Sequence, residues 1–226
     1  MEQGKLYIIS TPIGNMDDIT IRAVNTLKNK IDIAYCEDTR QTSKLLNHYN
    51  VQVPKLSLHS HSSEKKINRL IDNLKQGKNA AYLTDSGTPG VSDPGNKIVN
   101  YARANGIKVI PIPGPSALTS IISVSGFRGK AVAFSGFLSK KGAKRKKELL
   151  ELKNFDGVIV IYESPHRIKK TLTDICEIFN GHDIFIGREM TKMYEEFIHG
   201  TSDDILKNLD NIKEKGEFTI AISNRT

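Results

Sequence analysis

The sequence predicts an α/β protein of two domains, the first on a mostly parallel sheet and the second on a mixed one. In the first half, short runs rich in Ile, Val, Leu and Tyr alternate with segments of helical periodicity. That order buries a parallel sheet beneath helices on both faces. In the second half, the strand-like runs 183–187 and 195–199 follow each other with no helix between them, so an antiparallel pairing enters there. A patternless stretch with two glycines, 123–129, separates the halves and places the boundary after Val124, giving domains 1–124 and 125–226.

The elements follow in order. Strands are expected at 6–10, 31–36, 55–58, 80–84 and 107–112, each bounded by turn residues. Helices are expected at 21–28, with Ile21, Val24 and Leu27 on one face, at 64–76, where Ile67, Leu70, Ile71 and Leu74 recur at helical spacing, and at 96–105. Beyond the boundary come strand 131–135, a basic loop and helix 144–153, strand 158–163, helix 165–179, the two adjacent strands, helix 203–213 and strand 218–223. Two such domains side by side would leave a cleft for a ligand.

With 226 residues, 38% apolar and 26% charged, the chain has a globular composition, and disorder, collagen and coiled coil are poor fits. Its longest apolar run, 158–162, is far short of the roughly 20 residues a membrane span needs. The N-terminus lacks a secretory pattern, and the two cysteines, Cys36 and Cys176, make no disulfide framework. A cytoplasmic protein with reduced thiols is expected. The net charge of +8 favours a polyanionic partner. Its densest cluster is Lys140, Lys141, Lys144, Arg145, Lys146 and Lys147, six cations in eight positions. Such crowding opposes the dipole at a helix start, and a phosphate backbone would relieve it.

The chemistry gathers where the strands end, the edge at which open α/β sheets bind ligands. The first strand runs into STPIGN, the second into EDTR, the fourth into DSGTPGVSDPG and the fifth into PIPGPS. Glycine and proline give such loops an open, fixed backbone whose amides can approach a ligand, although the same residues also punctuate ordinary turns. The glycine fingerprint of dinucleotide-binding folds, the P-loop and the serine-hydrolase elbow are all absent. Asp85 ends an apolar strand as in phosphohydrolases with a nucleophilic aspartate, but Gly87 stands where their second Asp belongs. His59 and His61 have no third ligand at a suitable spacing, so no metal is expected. In the second half, ESPHR and GREMTK again follow strands.

TPIGNMDDITIRA, EDTR, DSGTPGVSDPG, PIPGPSA, ESPHR and GREMTK occur in the order seen in one family. From residue 6 to residue 222 the chain resembles the bacterial 16S ribosomal RNA (cytidine 2′-O)-methyltransferases of the tetrapyrrole-methylase superfamily. The resemblance implies the class III methyltransferase fold, with S-adenosylmethionine between two α/β domains. It also implies a cytidine of 16S rRNA in the decoding centre of the small ribosomal subunit as substrate, and a homodimer. Carried over by motif, the cofactor would be held by Asp85, Ser86, Gly87, Thr88, Pro89, Val91, Asp93, Pro113, Gly114, Ser116 and Ala117. Thr11 and Pro12 would lie at the mouth, and Phe134 and Tyr162 would close the site from the second domain. Family members commonly continue beyond the GEFTIAI strand, whereas this chain stops at Thr226.

A ribose hydroxyl attacks a sulfonium methyl only when aligned behind it and relieved of its proton. The candidate catalytic residues are Glu37, Asp38, Glu163 and Lys192, with Lys192 a base if burial depresses its pKa and otherwise a phosphate partner. Arg22, Arg40, His59, Arg167, Arg188 and the 140–147 cluster are the candidate RNA contacts. The alternatives are a small-molecule methylase of the same fold and a non-catalytic RNA-binding or assembly protein.

Overall fold

A computed structural model describes residues 2–59, 62–93 and 95–224. The first half forms β1 (Leu6–Ile9), α1 (Ile21–Asn29), β2 (Ile33–Cys36), α2 (Thr39–His48), β3 (Lys55–Ser57), α3 (Glu64–Lys75), β4 (Ala80–Leu83), α4 (Gly95–Ala104) and β5 (Val109–Ile112). The strands lie in the order β3-β2-β4-β1-β5, every pairing parallel. β4 is buried at all four positions, as a central strand covered on both faces must be.

Two helices cover each face. α1 and α2 bring Ala23, Leu27, Leu45 and Leu46 onto Ile9, Cys36 and Leu83. On the opposite face α3 and α4 pack Leu70, Leu74, Ile98 and Ala102 onto Leu6, Tyr35 and Tyr82. The chain therefore leaves β1 toward one face and leaves its neighbour β4 toward the other. This is a topological switch point, and it opens a crevice at the C-terminal ends of those two strands. α2 has no counterpart among the helices the sequence predicts, because only Thr42, Leu45 and Leu46 of its ten residues are buried. Its start is set by the Asp38 side chain, which accepts the Arg40 N–H as an N-cap.

The second half forms α5 (Ala117–Ser125), β6 (Val132–Phe137), α6 (Gly142–Leu152), β7 (Gly157–Glu163), α7 (Ile168–Ile178), β8 (Asp183–Arg188), β9 (Glu196–Thr201), α8 (Ser202–Lys207) and β10 (Phe218–Asn224). Strand order is β6-β7-β10-β8-β9, with β6 and β7 parallel and the remaining pairs antiparallel. Alternate residues Ile159, Ile161, Ile184, Ile186, Ile220 and Ile222 face Leu149, Leu172, Ile175 and Ile205 of α6, α7 and α8. The expected helix 203–213 ends at Lys207 and is followed by a 3₁₀ turn, Leu209–Asn211.

The compact units are Met1–Ser116 and Ala117–Thr226, so their division falls ahead of Val124. The cause is α5, which packs against β8 and β10 of the second sheet with Ile121 fully buried. Among the described residues no helix is long and apolar enough to cross a membrane.

The 140–147 cluster is not a uniform basic face. Arg145 is 6% exposed, and its Nε donates to Asp174 Oδ2 on α7 at 2.7 Å. Lys146 reaches Asp174 at 3.6 Å and Glu177 at 2.6 Å. The expectation that Arg145 contacts RNA is therefore corrected: a buried guanidinium must be paired, and this one fastens α6 to α7. Removing one partner strands the other charge. Asp174→Ala should cost about 3–5 kcal/mol in urea unfolding, and Asp174→Leu combined with Arg145→Met distinctly less. A loss of under about 1 kcal/mol for Asp174→Ala would show that the pair carries little of the α6–α7 packing.

Candidate active site

In the first unit the loops after β1, β4 and β5 are tied together by backbone and hydroxyl bonds. Thr11 and Gly87 exchange both backbone hydrogen bonds, at 3.0 and 3.1 Å. The Thr11 hydroxyl donates to the Thr84 carbonyl at 3.1 Å. The Thr88 hydroxyl lies 3.0 Å from the Ser10 hydroxyl and donates to the Pro115 carbonyl, also at 3.0 Å. Gly87 adopts φ +80°, which lets the turn reverse into the bridge. Gly114 sits so close to β1 that a Cβ there would stand 2.9 Å from the Ser10 Cβ. Asp93 closes the long loop from inside, accepting the N–H groups of Gly90, Val91 and Gly95 at 2.7, 3.0 and 2.7 Å. Asp85 and Ser86 are left exposed, with Thr88, Val91, Pro113's neighbour Gly114 and Ser116 half-buried. Thr11, Pro12 and Pro89 are buried, while Pro113 is exposed. Pro94 of the same loop and His61 lie outside the described residues.

The loop after β2 brings two neighbouring carboxylates to this edge with opposite electrostatics. The Asp38 N–H donates to Asp85 Oδ1 at 3.1 Å. Arg40 holds the Asp38 carboxylate through its side chain, at 2.7 Å, and its backbone N–H, keeping the carboxyl down at about 2. Burial, followed by the charges of Asp85 and Asp93, pushes the Glu37 carboxyl up to about 7. One group thus stays ionised in water at any ordinary pH, and the other is poised to take or give a proton near neutrality. Burial, followed by Glu37, also raises the Tyr82 phenol, whose oxygen is buried without a partner among the described residues. A buried orphan hydroxyl is rare enough to mark the floor of this edge as unusual. Tyr82 and the Ser10–Thr88 hydroxyl pair escaped the sequence reading. The apolar-strand pattern hides Tyr82, and the pairing spans 78 positions.

In the second unit Tyr162 meets one other expected residue, Phe134. Its hydroxyl accepts the Leu118 N–H beside Ala117 at 3.1 Å, and its ring meets that of Phe134 edge-on at 4.8 Å. Glu163 is 1% exposed and fully engaged. It accepts the Ser164 N–H at 2.6 Å, the Thr171 hydroxyl at 2.6 Å and Arg167 at 2.8 and 2.6 Å. A carboxylate so saturated is poorly placed to accept a substrate proton, and Arg167 is correspondingly occupied, donating also to the Leu138 carbonyl at 3.1 Å. Arg188, expected at RNA, is 6% exposed and donates to Glu196 at 2.7 Å. That expectation is corrected by the same reasoning as for Arg145.

Lys192 departs from the depressed lysine that a base would require. Burial pulls its ammonium down, but Glu189 at 2.8 Å and Glu217 at 2.9 Å outweigh that and hold it above the ordinary lysine value. It is a cation that pins a turn in which Glu189 and Thr191 take φ +49° and +66°. Of the remaining expected contacts, Arg22, Arg40, His59, Lys140, Lys141, Lys144 and Lys147 are exposed. Among the described residues no group of three or more His, Cys, Asp or Glu side chains could hold a metal.

The raised Glu37 value carries a stability cost of definite sign. A carboxyl whose folded value lies above its unfolded 4.5 favours folding below that pH and loses the contribution as pH rises through about 7. Glu37→Gln should therefore raise Tm at pH 8, with the gain vanishing toward pH 4. Equal Tm values for the two proteins at pH 8 would contradict the burial of a charge there.

Comparison with known proteins places this geometry. The tetrapyrrole (corrin/porphyrin) methylase family matches residues 5–206. A Thermotoga maritima protein named ribosomal RNA small subunit methyltransferase I is 45% identical over 222 residues, 98% of this chain and 99% of that protein. The protein of that name from Borrelia garinii subsp. bavariensis is 46% identical over 220 residues, 96% of this chain and 98% of its own length. Among solved structures, uroporphyrin-III C-methyl transferase from Thermus thermophilus, complexed with S-adenyl homocysteine, shares the fold. Its TM-score is 0.66 at 15% identity, covering 96% of this chain and 97% of that one. A two-unit α/β chain with these strand-end loops, matched almost end to end, belongs to the ribosomal RNA small subunit methyltransferase I family of the tetrapyrrole methylases.

Proposed function

We propose that this chain is an S-adenosylmethionine-dependent methyltransferase that methylates the ribose 2′-oxygen of a cytidine in 16S rRNA of the small ribosomal subunit. The near-full-length match to two proteins named for small-subunit rRNA methylation carries the reading. The first unit's edge fits the cofactor. Its three loops are cross-braced, and at Gly114 the backbone lies bare where a side chain would strike Ser10. Asp85, Ser86, Gly87, Thr88, Pro89, Val91 and Asp93 of the β4 loop would hold it with Pro113, Gly114 and Ser116. Ala117, Phe134 and Tyr162 are proposed as further cofactor contacts. When bound, S-adenosylmethionine supplies an electrophilic methyl group on a sulfonium.

The chain's own contribution is position and a proton acceptor. Glu37 is the base we assign, because it is near half-ionised at neutral pH and sits beside Asp38 and Asp85 at the loop edge. Its carboxylate would take the proton of the ribose hydroxyl. Asp38 is too acidic to compete, Glu163 is bonded out, and Lys192 already carries its proton. Glu163 and Lys192 act as positioning residues for the strand ends that carry them. Exposed Val132 and Phe137 on the edge strand β6 are consistent with burial against a second copy in a homodimer. Such an enzyme would work in the cytoplasm, where small subunits reside.

Incubating unmodified small subunits with the protein and methyl-labelled S-adenosylmethionine should yield labelled 2′-O-methylcytidine after digestion. Label on another nucleoside would correct the substrate. Cofactor binding without any RNA label would favour a small-molecule methylase of this fold. The methylation rate should climb with pH to a plateau above about 7. Glu37→Gln should remove that limb and lower the rate by about 10²–10⁴ while sparing cofactor affinity. Gly114→Val should abolish cofactor binding, read by calorimetry on protein whose circular dichroism is unchanged. Retained affinity would move the cofactor away from the β5 loop.

A further inference from the structure

The side of the first unit bounded by α1, β1 and β5 holds an open groove of about 660 Å³ that no step above uses. Its floor is apolar, from Tyr7, Ile110 and Ile112, and its polar lining includes Lys5, Arg22, Asn25, Asn29 and Lys30. Among the described residues no Asp or Glu lines it. Arg22, Asn25 and Asn29 stand at i, i+3 and i+7 of α1, one stripe of donors over roughly 10 Å of helix. The buried residues of that helix, Ala23, Thr26 and Leu27, anchor it to the sheet.

Several buried or half-buried cations of the second unit are held by carboxylates. Arg145, Lys146, Arg167, Arg188 and Lys192 are each matched to a carboxylate. Among the described residues no ion pair involves Lys5, Arg22 or Lys30. At the Arg22 end Ile21 is 81% exposed, an apolar surface beside the charge. That end also meets Ile112, the last residue of β5 before the Pro113–Ser116 loop, so the groove begins at the sheet edge that carries the candidate site.

We infer that this groove carries the sugar-phosphate backbone of the substrate RNA as a single strand leading away from the reacting nucleotide. The inference rests on the RNA reading above. Unpaired cations spaced along a concave track neutralise successive phosphates. Asparagine amides between them can donate to phosphate or ribose oxygens. The apolar floor and Ile21 give ribose carbons a surface to pack on. Contacts of this kind set register without reading sequence, which suits a strand whose reacting cytidine is selected at the edge.

The test compares wild type with the triple variant Lys5→Gln, Arg22→Gln, Lys30→Gln, and with Arg22→Glu alone. Binding to unmodified small subunits and to a single-stranded oligoribonucleotide spanning the modified site is measured across a salt series. The triple variant should bind both probes about tenfold or more weakly at low salt, and its slope of log K against log salt should be shallower by about two. Arg22→Glu alone should also weaken both probes, because it sets a like charge against the phosphates. Cofactor affinity should not change, which also reports an intact fold. Wild-type slope and affinity in the triple variant, with methylation intact, would overturn the groove alone. Loss confined to the subunit, with oligonucleotide binding unchanged, would assign the groove to a ribosomal protein and overturn it too. A wild type that binds the cofactor yet neither binds nor methylates RNA would overturn the RNA reading, and the groove with it.

Discussion

Everything at the candidate site depends on β1 and β4 being neighbours whose chains leave toward opposite faces. The crevice this opens would be loose if the loops on its two sides were independent, because glycine- and proline-rich segments lack packing of their own. The Thr11–Gly87 bridge and the Ser10–Thr88–Pro115 hydroxyl chain remove that freedom by joining three loops to one strand end. Gly114 has no room for a side chain because the β5 loop lies directly on Ser10. A rigid edge of this kind can present backbone groups to a ligand without ordering them at the moment of binding.

The same edge explains why Glu37 is strained electrostatically. Three carboxylates, Glu37, Asp85 and Asp93, share it, and each has a different task. Asp93 is consumed in turning its own loop, accepting three backbone N–H groups. Asp85 fixes the β2 loop through the Asp38 N–H. Glu37 is left half-buried facing both charges, the arrangement that separates a proton acceptor from structural acids. The protein gives up some stability near neutral pH to hold it there.

Much of the fold was legible because it is written in local patterns. β1, β4 and β5 are apolar runs, and α3 shows Ile67, Leu70, Ile71 and Leu74 at helical spacing, all of them buried. The motif order of the strand-end loops exposed the family. α2 was not legible, since its stripe is too thin, and α5 was not, since it belongs to the second sheet despite preceding the glycine-rich stretch. Side-chain partners distant in sequence were invisible: Asp174 lies 29 positions from Arg145, and Glu217 lies 25 from Lys192. Both cations looked available to a ligand and are in fact paired. Glu163 misled for a related reason, because its Thr171 and Arg167 donors are near in sequence but converge only once α7 has docked.

The central claim is that burial and two neighbouring carboxylates hold Glu37 poised near neutrality. Carbon-13 NMR of the labelled Glu37 carboxyl, titrated in the wild type and in Asp85→Asn, tests it most directly. The account predicts a midpoint near 7 in the wild type and a lower one in the variant. A midpoint near the ordinary 4.5 in both would contradict it and leave the proton acceptor unassigned.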